Sequence, residues 1–466
     1  MDQSIIFDLE LIKRHDKAGP RYTSYPTAVQ FNEQFTAKQY VQHCEKTNAI
    51  SQAENVPTPL SLYFHIPFCD TVCFYCGCNK VVTKDRSKAR PYLDRMHKEI
   101  TMHSKLIDDN RVVKQLHWGG GTPTFIKHNE MRELMAVTRQ HFNLANDSIG
   151  EYSIEIDPRE VSAKTIAVLR EIGFNRLSLG VQDVDPNVQK AVNRIQPNEV
   201  TLAAINNARQ QGFKSISIDL IYGLPLQTAE SFNNTIDWVI DTAPDRLSVF
   251  NYAHLPEMFK PQRRINKADL PSAQEKLLIL QQTIEKLRTA GYVYIGMDHF
   301  AKPDDELAIA QRQGTLYRNF QGYSTHSDCD LVAMGITSIG QIGDTYSQNV
   351  KDLASYYELI DADKLPVYRG VELNNDDVLR RAVITQLICH FGLEKSTIET
   401  QFNIKFDDYF NTELEELSRM EQEGLVSVSD KNVSVMPGGR LLIRNICMVF
   451  DRYLRNATEQ RYSKVI

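Results

Sequence analysis

The chain has 466 residues, 42% hydrophobic and 24% charged, which is more folded chain than one ordinary core holds, so one large domain plus at least one smaller one is expected. Its formal net charge of -6 argues against a general nucleic-acid binder, although it leaves room for a local basic pocket. No apolar run approaches the ~20 residues of a membrane span, and "MDQSIIFDLELIKRHDKAGP" lacks the basic start and apolar stretch of a signal peptide, so a cytoplasmic protein with reduced cysteines and no membrane or nucleic-acid partner is expected.

In chain order, residues 1–58 come first as a strap with helices. Within them "GPRYTSYPTA" (19–28) carries two prolines and reads as an extended segment that cannot form a core alone. It either packs on the following domain or lies over an active-site mouth. From residue 59 to about 370, short β-rich runs alternate with longer helical runs. The β-rich runs are "SLYFHIPF" (61–68), "VKQLHWGGG" (113–121), "EYSIEIDP" (151–158), "RLSLGVQD" (176–183), "SISIDLIYGLP" (215–225), "RLSVFNYAHL" (246–255) and "YVYIGMDHF" (292–300). Alternating strand and helix predicts a parallel sheet with right-handed crossovers, and this number of units predicts a partial (β/α)6-type, TIM-like barrel. Active-site groups of such barrels sit at the C-terminal ends of the strands. A dinucleotide fold is disfavoured, because the glycine run 119–121 continues into "TPT" rather than G-x-G-x-x-G. Residues 371–466 turn mainly helical, with two alternating runs around "DKN" that predict a hairpin, so a winged-helix-like module is expected. That shape alone does not establish DNA binding, and a lid or substrate wall is the preferred reading.

At the end of the first strand, "CDTVCFYCGC" (69–78) packs four of the eight cysteines into ten residues with the spacing C-x3-C-x2-C-x-C. Cys44, Cys329, Cys389 and Cys447 are scattered and read as small apolar residues. No second Cys/His pair follows the cluster, as a structural zinc site would require. Cys69, Cys73 and Cys76 have the spacing to reach three corners of an iron–sulfur cubane, leaving Cys78 outside and one iron open. Zinc and redox-active cysteines remain the other readings of the spacing alone. Beyond the cysteines, the glycines of "HWGGGTPT" would let a ligand approach the backbone, and their N–H groups could bind it; the plain reading is a tight strand-to-helix turn. Glu155 and Asp157 alternate with apolar residues and so point to one side of their strand, which equally fits a structural carboxylate pair.

C-x3-C-x2-C after a first barrel strand resembles the signature of the radical S-adenosylmethionine (radical SAM) superfamily. "GPRYTSYPTA", "YFHIPFC", "CGCNK", "LHWGGGTPT", "IEIDPRE", "GFNRLSLGVQD", "IDLIYGLP", "DRLSVFNYAHLP", "GMDHFA", "RNFQGY" and "RLLIRNICM" carry the resemblance further, to the bacterial oxygen-independent coproporphyrinogen III oxidases, over essentially the whole chain. The resemblance implies an oxidoreductase with a [4Fe-4S] cluster on Cys69, Cys73 and Cys76. It implies S-adenosylmethionine, as two molecules, near Tyr63, Tyr75, Gly120, Gly121, Thr122, Glu155, Gln182, Arg194, Asp219, Ala253 and Ile339. Arg194 reads as a helix position, where arginine is ordinarily a surface group, and only the resemblance promotes it. Phe320 and Gln321 are implied as active-site residues near substrate or the second cofactor. The implied reaction makes a 5′-deoxyadenosyl radical and decarboxylates the ring A and ring B propionates of coproporphyrinogen III to vinyl groups, giving protoporphyrinogen IX. An electron donor such as flavodoxin or ferredoxin and a monomeric state are expected with it. The substrate's propionates need cationic partners, for which Arg21, Lys80, Arg263, Arg264 and Arg318 are candidates. Haem chaperones and haem-degrading enzymes of the same superfamily are the alternatives; Cys78 and the "RYTSYPT" strap favour the oxidase.

Overall fold

The computed structural model describes residues 4–54, 56–455 and 462. The chain forms two compact units that interleave along the sequence. One contains Phe31–Ile279 and Asp328–Glu372; the other contains Met1–Gln30, Leu280–Ser327 and Leu373–Ile466. Among the described residues no helix is long and apolar enough to cross a membrane.

The first of these units holds the expected α/β sheet. Its main strands are β1 (Leu60–Ile66), β2 (Val112–Gly120), β3 (Glu151–Ile156), β4 (Arg176–Gln182), β5 (Ser215–Tyr222), β6 (Arg246–Asn251), β7 (Asp330–Met334), β8 (Ile339–Ile342), β9 (Thr345–Asn349) and β10 (Val367–Glu372). They lie in the order β6-β5-β4-β3-β2-β1-β7-β8-β9-β10. β1 to β6 pair in parallel, as does β1 with β7, whereas β7 to β10 continue as an antiparallel meander. Six parallel strands with crossover helices make the partial barrel that the sequence predicts.

The residues explain the elements. β1 is buried along nearly its whole length, as a strand covered on both faces must be. β3 alternates: Tyr152, Ile154 and Ile156 are buried, while Ser153 and Glu155 take the other face. The crossover helix Ala229–Thr242 starts at a capping box of Thr228 and Ser231 and buries Phe232, Ile236 and Val239 along one stripe. Trp118 on β2 is fully buried and meets Phe64 and Phe174 edge-on, with ring centroids 6.3 and 4.9 Å away. Such pairs add about 0.5–1.5 kcal/mol each beyond area burial, and they fix the strand whose end builds the site.

The other unit contains the strap and the C-terminal segment. The strap is tied to C-terminal residues: Tyr22 donates to Asp451 (3.1 Å), the Arg452 N–H to Tyr25 Oη (3.2 Å), and Arg444 Nε to the Pro20 carbonyl (2.8 Å). Helices Asn375–His390 and Asn411–Gln422 accompany a small sheet of Gly392–Glu394, Asn432–Val435 and Val426–Val428, so the hairpin expected around "DKN" is present. The run "YVYIGMDHF" is not one unbroken strand. It splits into Val293–Gly296 and His299–Ala301, an antiparallel hairpin turned at Met297, which has φ 55°.

Candidate active site

The segment that follows β1 and the C-terminal portions of β2 to β6 line a cavity of about 330 Å³. Its first wall is the cysteine loop. Beyond β1, Phe68 and Cys69 pair in parallel with Val81 and Val82, which closes the loop at its base. The loop is then held from three sides. The Phe74 N–H donates to the Val192 carbonyl (2.9 Å), Asn193 Nδ2 to the Val72 carbonyl (2.8 Å) and Gln262 Nε2 to the Tyr75 carbonyl (2.9 Å). A loop that ligates from one short segment must be preorganised in this way, because each free residue costs about 1–2 kcal/mol to order.

Cys69, Cys73 and Cys76 all line the cavity. Each thiol has a polar neighbour. Thr122 Oγ1 donates to Cys69 Sγ (3.7 Å), and Arg194 Nη1 and Arg159 Nη2 lie 3.6 and 3.8 Å from Cys73 Sγ. A hydrogen bond from the Cys78 thiol, followed by the Lys80 charge, brings the Cys76 thiol down to about 5. Burial pushes the Cys69 thiol up to about 11 against the Thr122 hydrogen bond. Cys78 lines the same cavity and is exposed.

The second wall is the glycine turn. Gly120 has φ 116°, and a Cβ there would stand 2.9 Å from the His65 ring; at Gly121 it would stand 2.7 Å from the Pro67 and Phe68 carbonyl oxygens. The turn therefore packs directly on the start of the cysteine loop. Its N–H groups serve the protein itself: Gly120 donates to Glu155 Oε2 (3.2 Å), Gly121 to the Ile66 carbonyl (2.9 Å) and Thr122 to the Phe68 carbonyl (2.8 Å). The glycines act by close approach, and the free donors that the sequence suggested are already engaged.

The third wall carries opposed charges. Asp157 accepts from Arg159 Nη2 (2.6 Å) and Nε (2.9 Å) and from Arg194 Nη1 (3.0 Å), so one buried carboxylate holds both guanidiniums against Cys73. Burial would raise Asp157, but the two arginines hold it below the usual carboxylate range. Burial likewise opposes ionisation of Glu155, yet His117 and the Gly120 N–H hold it low. Asp219 accepts from Ser178 Oγ (2.9 Å), and burial pushes it to about 6. Gln182 ends β4 at φ 70°, next to a register irregularity in its pairing with β5. A non-glycine residue held in that region is costly and clusters at binding sites.

Of the residues implied by resemblance, Cys69, Cys73, Tyr75, Cys76, Gly120, Gly121, Thr122, Glu155, Gln182, Arg194 and Asp219 line this one cavity. Arg194 is not on a helix surface. The preceding helix ends at Ala191, Asn193 takes a left-handed conformation (φ 55°), and Arg194 turns inward to 6% exposure. Tyr63 stands behind the lining, stacked on His117 at 5.9 Å and paired with His65 Nδ1 at 3.1 Å. Ala253 follows β6, and its carbonyl accepts from Gln262 (3.3 Å); Ile339 opens β8, half-buried. Phe320 and Gln321 belong to the other unit, at the turn between Tyr317–Asn319 and Gly322–Ser324.

Sequence reasoning passed over His117 and Arg159. His117 Nδ1 lies 2.6 Å from Ser153 Oγ and its Nε2 lies 3.3 Å from Glu155, so it orients that carboxylate. It lies two positions before Gly119 on β2, and the alternation that exposes Glu155 would have found it. Three thiols on a fixed loop, each met by a donor or cation, fit a [4Fe-4S] cluster, and the facing carboxylates and guanidiniums fit a zwitterionic, cationic ligand such as S-adenosylmethionine.

Comparison with known proteins agrees. Residues 63–239 match the radical SAM superfamily and residues 373–442 the HemN C-terminal domain. The chain is 54% identical to the oxygen-independent coproporphyrinogen III oxidase of Pseudomonas aeruginosa, over 100% of both chains. It is 51% identical to that of Escherichia coli K12, over 100% of this chain and 99% of the other. The solved structure of coproporphyrinogen III oxidase (HemN) from Escherichia coli, described as a radical SAM enzyme, superposes with a TM-score of 0.91 at 50% identity, covering 97% of this chain and 100% of that one. With site chemistry, fold and full-length similarity in agreement, the chain belongs to the oxygen-independent coproporphyrinogen III oxidase family of radical SAM oxidoreductases.

Proposed function

We propose that this chain converts coproporphyrinogen III to protoporphyrinogen IX without oxygen, by oxidative decarboxylation of the ring A and ring B propionates to vinyl groups. The observation that carries the reading is the cavity that the four cysteines of one loop line together with the Asp157–Arg194 pair, Glu155 and Asp219. Cys69, Cys73 and Cys76 would hold the [4Fe-4S] cluster, with Cys78 outside the ligand set. Glu155 and Asp219 would face the positive centres of S-adenosylmethionine. Tyr75, Gly120, Gly121, Thr122, Gln182 and Arg194 would complete its site, and Tyr63, Ala253 and Ile339 would form outer walls shared by two such molecules. When bound, these groups supply one-electron cleavage of a sulfonium and a carbon radical able to take a hydrogen atom from an unactivated C–H bond.

The chain's own contribution is positioning. No side chain need act as nucleophile; the walls orient the propionate β-carbon and keep out water and oxygen. Phe320 and Gln321 would contact substrate or the second cofactor molecule. Each propionate loses a β-hydrogen and carbon dioxide, and one electron leaves to an external acceptor. A flavodoxin or ferredoxin as electron donor, a cytoplasmic location and a monomeric state complete the proposal. The test is anaerobic: the reconstituted protein with reductant, S-adenosylmethionine and coproporphyrinogen III should release protoporphyrinogen IX. An intact cluster with no product but stable haem binding would overturn the reading in favour of a haem chaperone.

A further inference from the structure

The unit that carries the strap contains a second concentration of charge. Of the five basic residues that the sequence offers as propionate partners, three have ordinary surroundings. Lys80 Nζ donates to the Cys76 carbonyl (3.0 Å), Arg263 Nε to the Pro256 carbonyl (3.0 Å), and Arg264 lies over the Phe74 ring at 5.2 Å. Arg318 differs. It is 7% exposed on the hairpin before Phe320, and its guanidinium lies 4.7 Å over the ring of Tyr323, its cross-strand partner. The ring stacks on one flat face, and the N–H donors lie in the guanidinium plane, clear of the ring. Arg318 Nε lies 3.4 Å from the Arg21 carbonyl, and Nη1 is buried with no hydrogen-bond partner among the described residues.

A buried guanidinium nitrogen without an acceptor is costly, and it is ordinarily matched by a carboxylate. Here the neighbours are mostly cations. Arg444, 3% exposed, donates to the Gly19 and Pro20 carbonyls, so it and Arg318 bind three consecutive carbonyls of the strap. Arg21 pairs with Asp298 at 2.5 Å. Burial, with the nearby Arg21 charge, lowers Arg444 to about 10, as expected where positive charge is in excess. On the same hairpin, Gln321 Nε2 is also buried without a partner among the described residues. Two unfilled donors on one hairpin, one of them on a guanidinium that has Arg21 and Arg444 near it, describe a site made for an anion with a planar, two-oxygen head.

We propose that Arg318, with Arg21 and Arg444 beside it and Gln321 on the same hairpin, forms a carboxylate-binding subsite that takes a propionate of the tetrapyrrole; the identity of that ligand rests on the reading under Proposed function. The probes are coproporphyrin III, the oxidised and unreactive analogue with the same four carboxylates, and its tetramethyl ester in the same detergent buffer. Equilibrium binding to the full-length, reconstituted protein is measured for wild type, Arg318→Gln and Arg318→Lys. Losing a charge-assisted bond should weaken the acid about 10- to 100-fold in Arg318→Gln and leave the ester unchanged. Arg318→Lys keeps the charge and loses the fork, so it should fall between the two; if Arg318→Gln does not fold, this variant decides. An unchanged acid affinity, or equal losses for acid and ester, overturns the subsite, because a merely structural arginine would not distinguish the two probes. Failure of loaded wild type to form protoporphyrinogen IX would sink the function reading. Normal turnover with an unaltered acid–ester preference in both variants would sink only the subsite.

Discussion

The charge clamp on Cys73 gives the most quantitative prediction. Asp157→Asn preserves size and removes one negative charge that holds Arg159 and Arg194 against the thiol. Through the shared Arg194 Nη1 atom, that charge lies about 6 Å from Cys73 Sγ, and at an effective dielectric constant of about 20 its loss changes the local potential by about 2.8 kcal/mol per electron. For a one-electron couple this corresponds to an upward shift of about 120 mV, because adding an electron becomes easier once a negative charge has gone. Asp157 is 9% exposed and Arg194 6%, so solvent screens little of the effect. The assay is an EPR-monitored redox titration of the reconstituted cluster, with Asp157→Glu as the control that restores the charge. A shift below about 30 mV, or a downward one, in a variant with wild-type iron content would refute the electrostatic role. The apo protein should also lose stability, by about 3–5 kcal/mol, since two buried guanidiniums lose their shared partner; a thermal melt without cluster reads that separately.

Three further outcomes are expected. Cys69→Ser, Cys73→Ser and Cys76→Ser should each abolish the visible absorbance and iron content of the reconstituted cluster, whereas Cys78→Ser should keep both; loss in Cys78→Ser would refute the three-ligand assignment. Gly121→Ala places a Cβ 2.7 Å from two fixed carbonyl oxygens; this overpacking should cost about 1–3 kcal/mol and lower iron loading, and an unaltered melt and iron content would contradict the close-packing account. Asp219 titrates at about 6 because burial raises it, so its negative charge is lost as pH falls through that value. S-adenosylmethionine, which carries positive charge, should therefore bind more tightly at pH 7 than at pH 5 by isothermal calorimetry, and Asp219→Asn should flatten the dependence; a slope that survives the substitution would point to another group.

What was legible in the sequence was local. β1 to β6 announce themselves as short apolar or alternating runs between amphipathic helices, and the three cysteines share one loop, so spacing alone brings them together. "YVYIGMDHF" carries the same β-rich signal, yet Met297 turns the backbone there and makes a hairpin. Only long-range pairing decides between those outcomes, and no local pattern records it. Arg194 was misplaced for a related reason. Its neighbours have helical composition, but Asn193 adopts a left-handed conformation to anchor Val72, and that contact belongs to the cysteine loop 121 residues earlier in the chain. The glycine turn was legible as a close approach, while the fate of its N–H groups depended on Glu155, Ile66 and Phe68, which arrive from two other strand ends.

The placement of charge ties these observations together. A loop of anionic sulfur in a chain of net charge -6 is costly to hold. The structure answers locally. Arg159 and Arg194 stand against Cys73, and Lys80 lies beside Cys76, while the carboxylates Glu155 and Asp219 line the same cavity, where a cationic ligand would meet them. Cations beside the sulfur and anions beside the ligand are opposite requirements within one cavity of about 330 Å³. Asp157 is the residue that lets both stand, because it offsets the two guanidiniums through the same nitrogens that meet the thiol, Arg194 Nη1 and Arg159 Nη2, so the cationic charge beside Cys73 is balanced within the wall itself. On this argument Asp157 matters more to the site than its absence from the resemblance-based residue set would suggest. If so, Asp157→Asn should weaken S-adenosylmethionine binding as well as shift the cluster, whereas Arg159→Gln, which removes one cation and leaves Asp157 paired to Arg194, should lower the potential and spare that affinity.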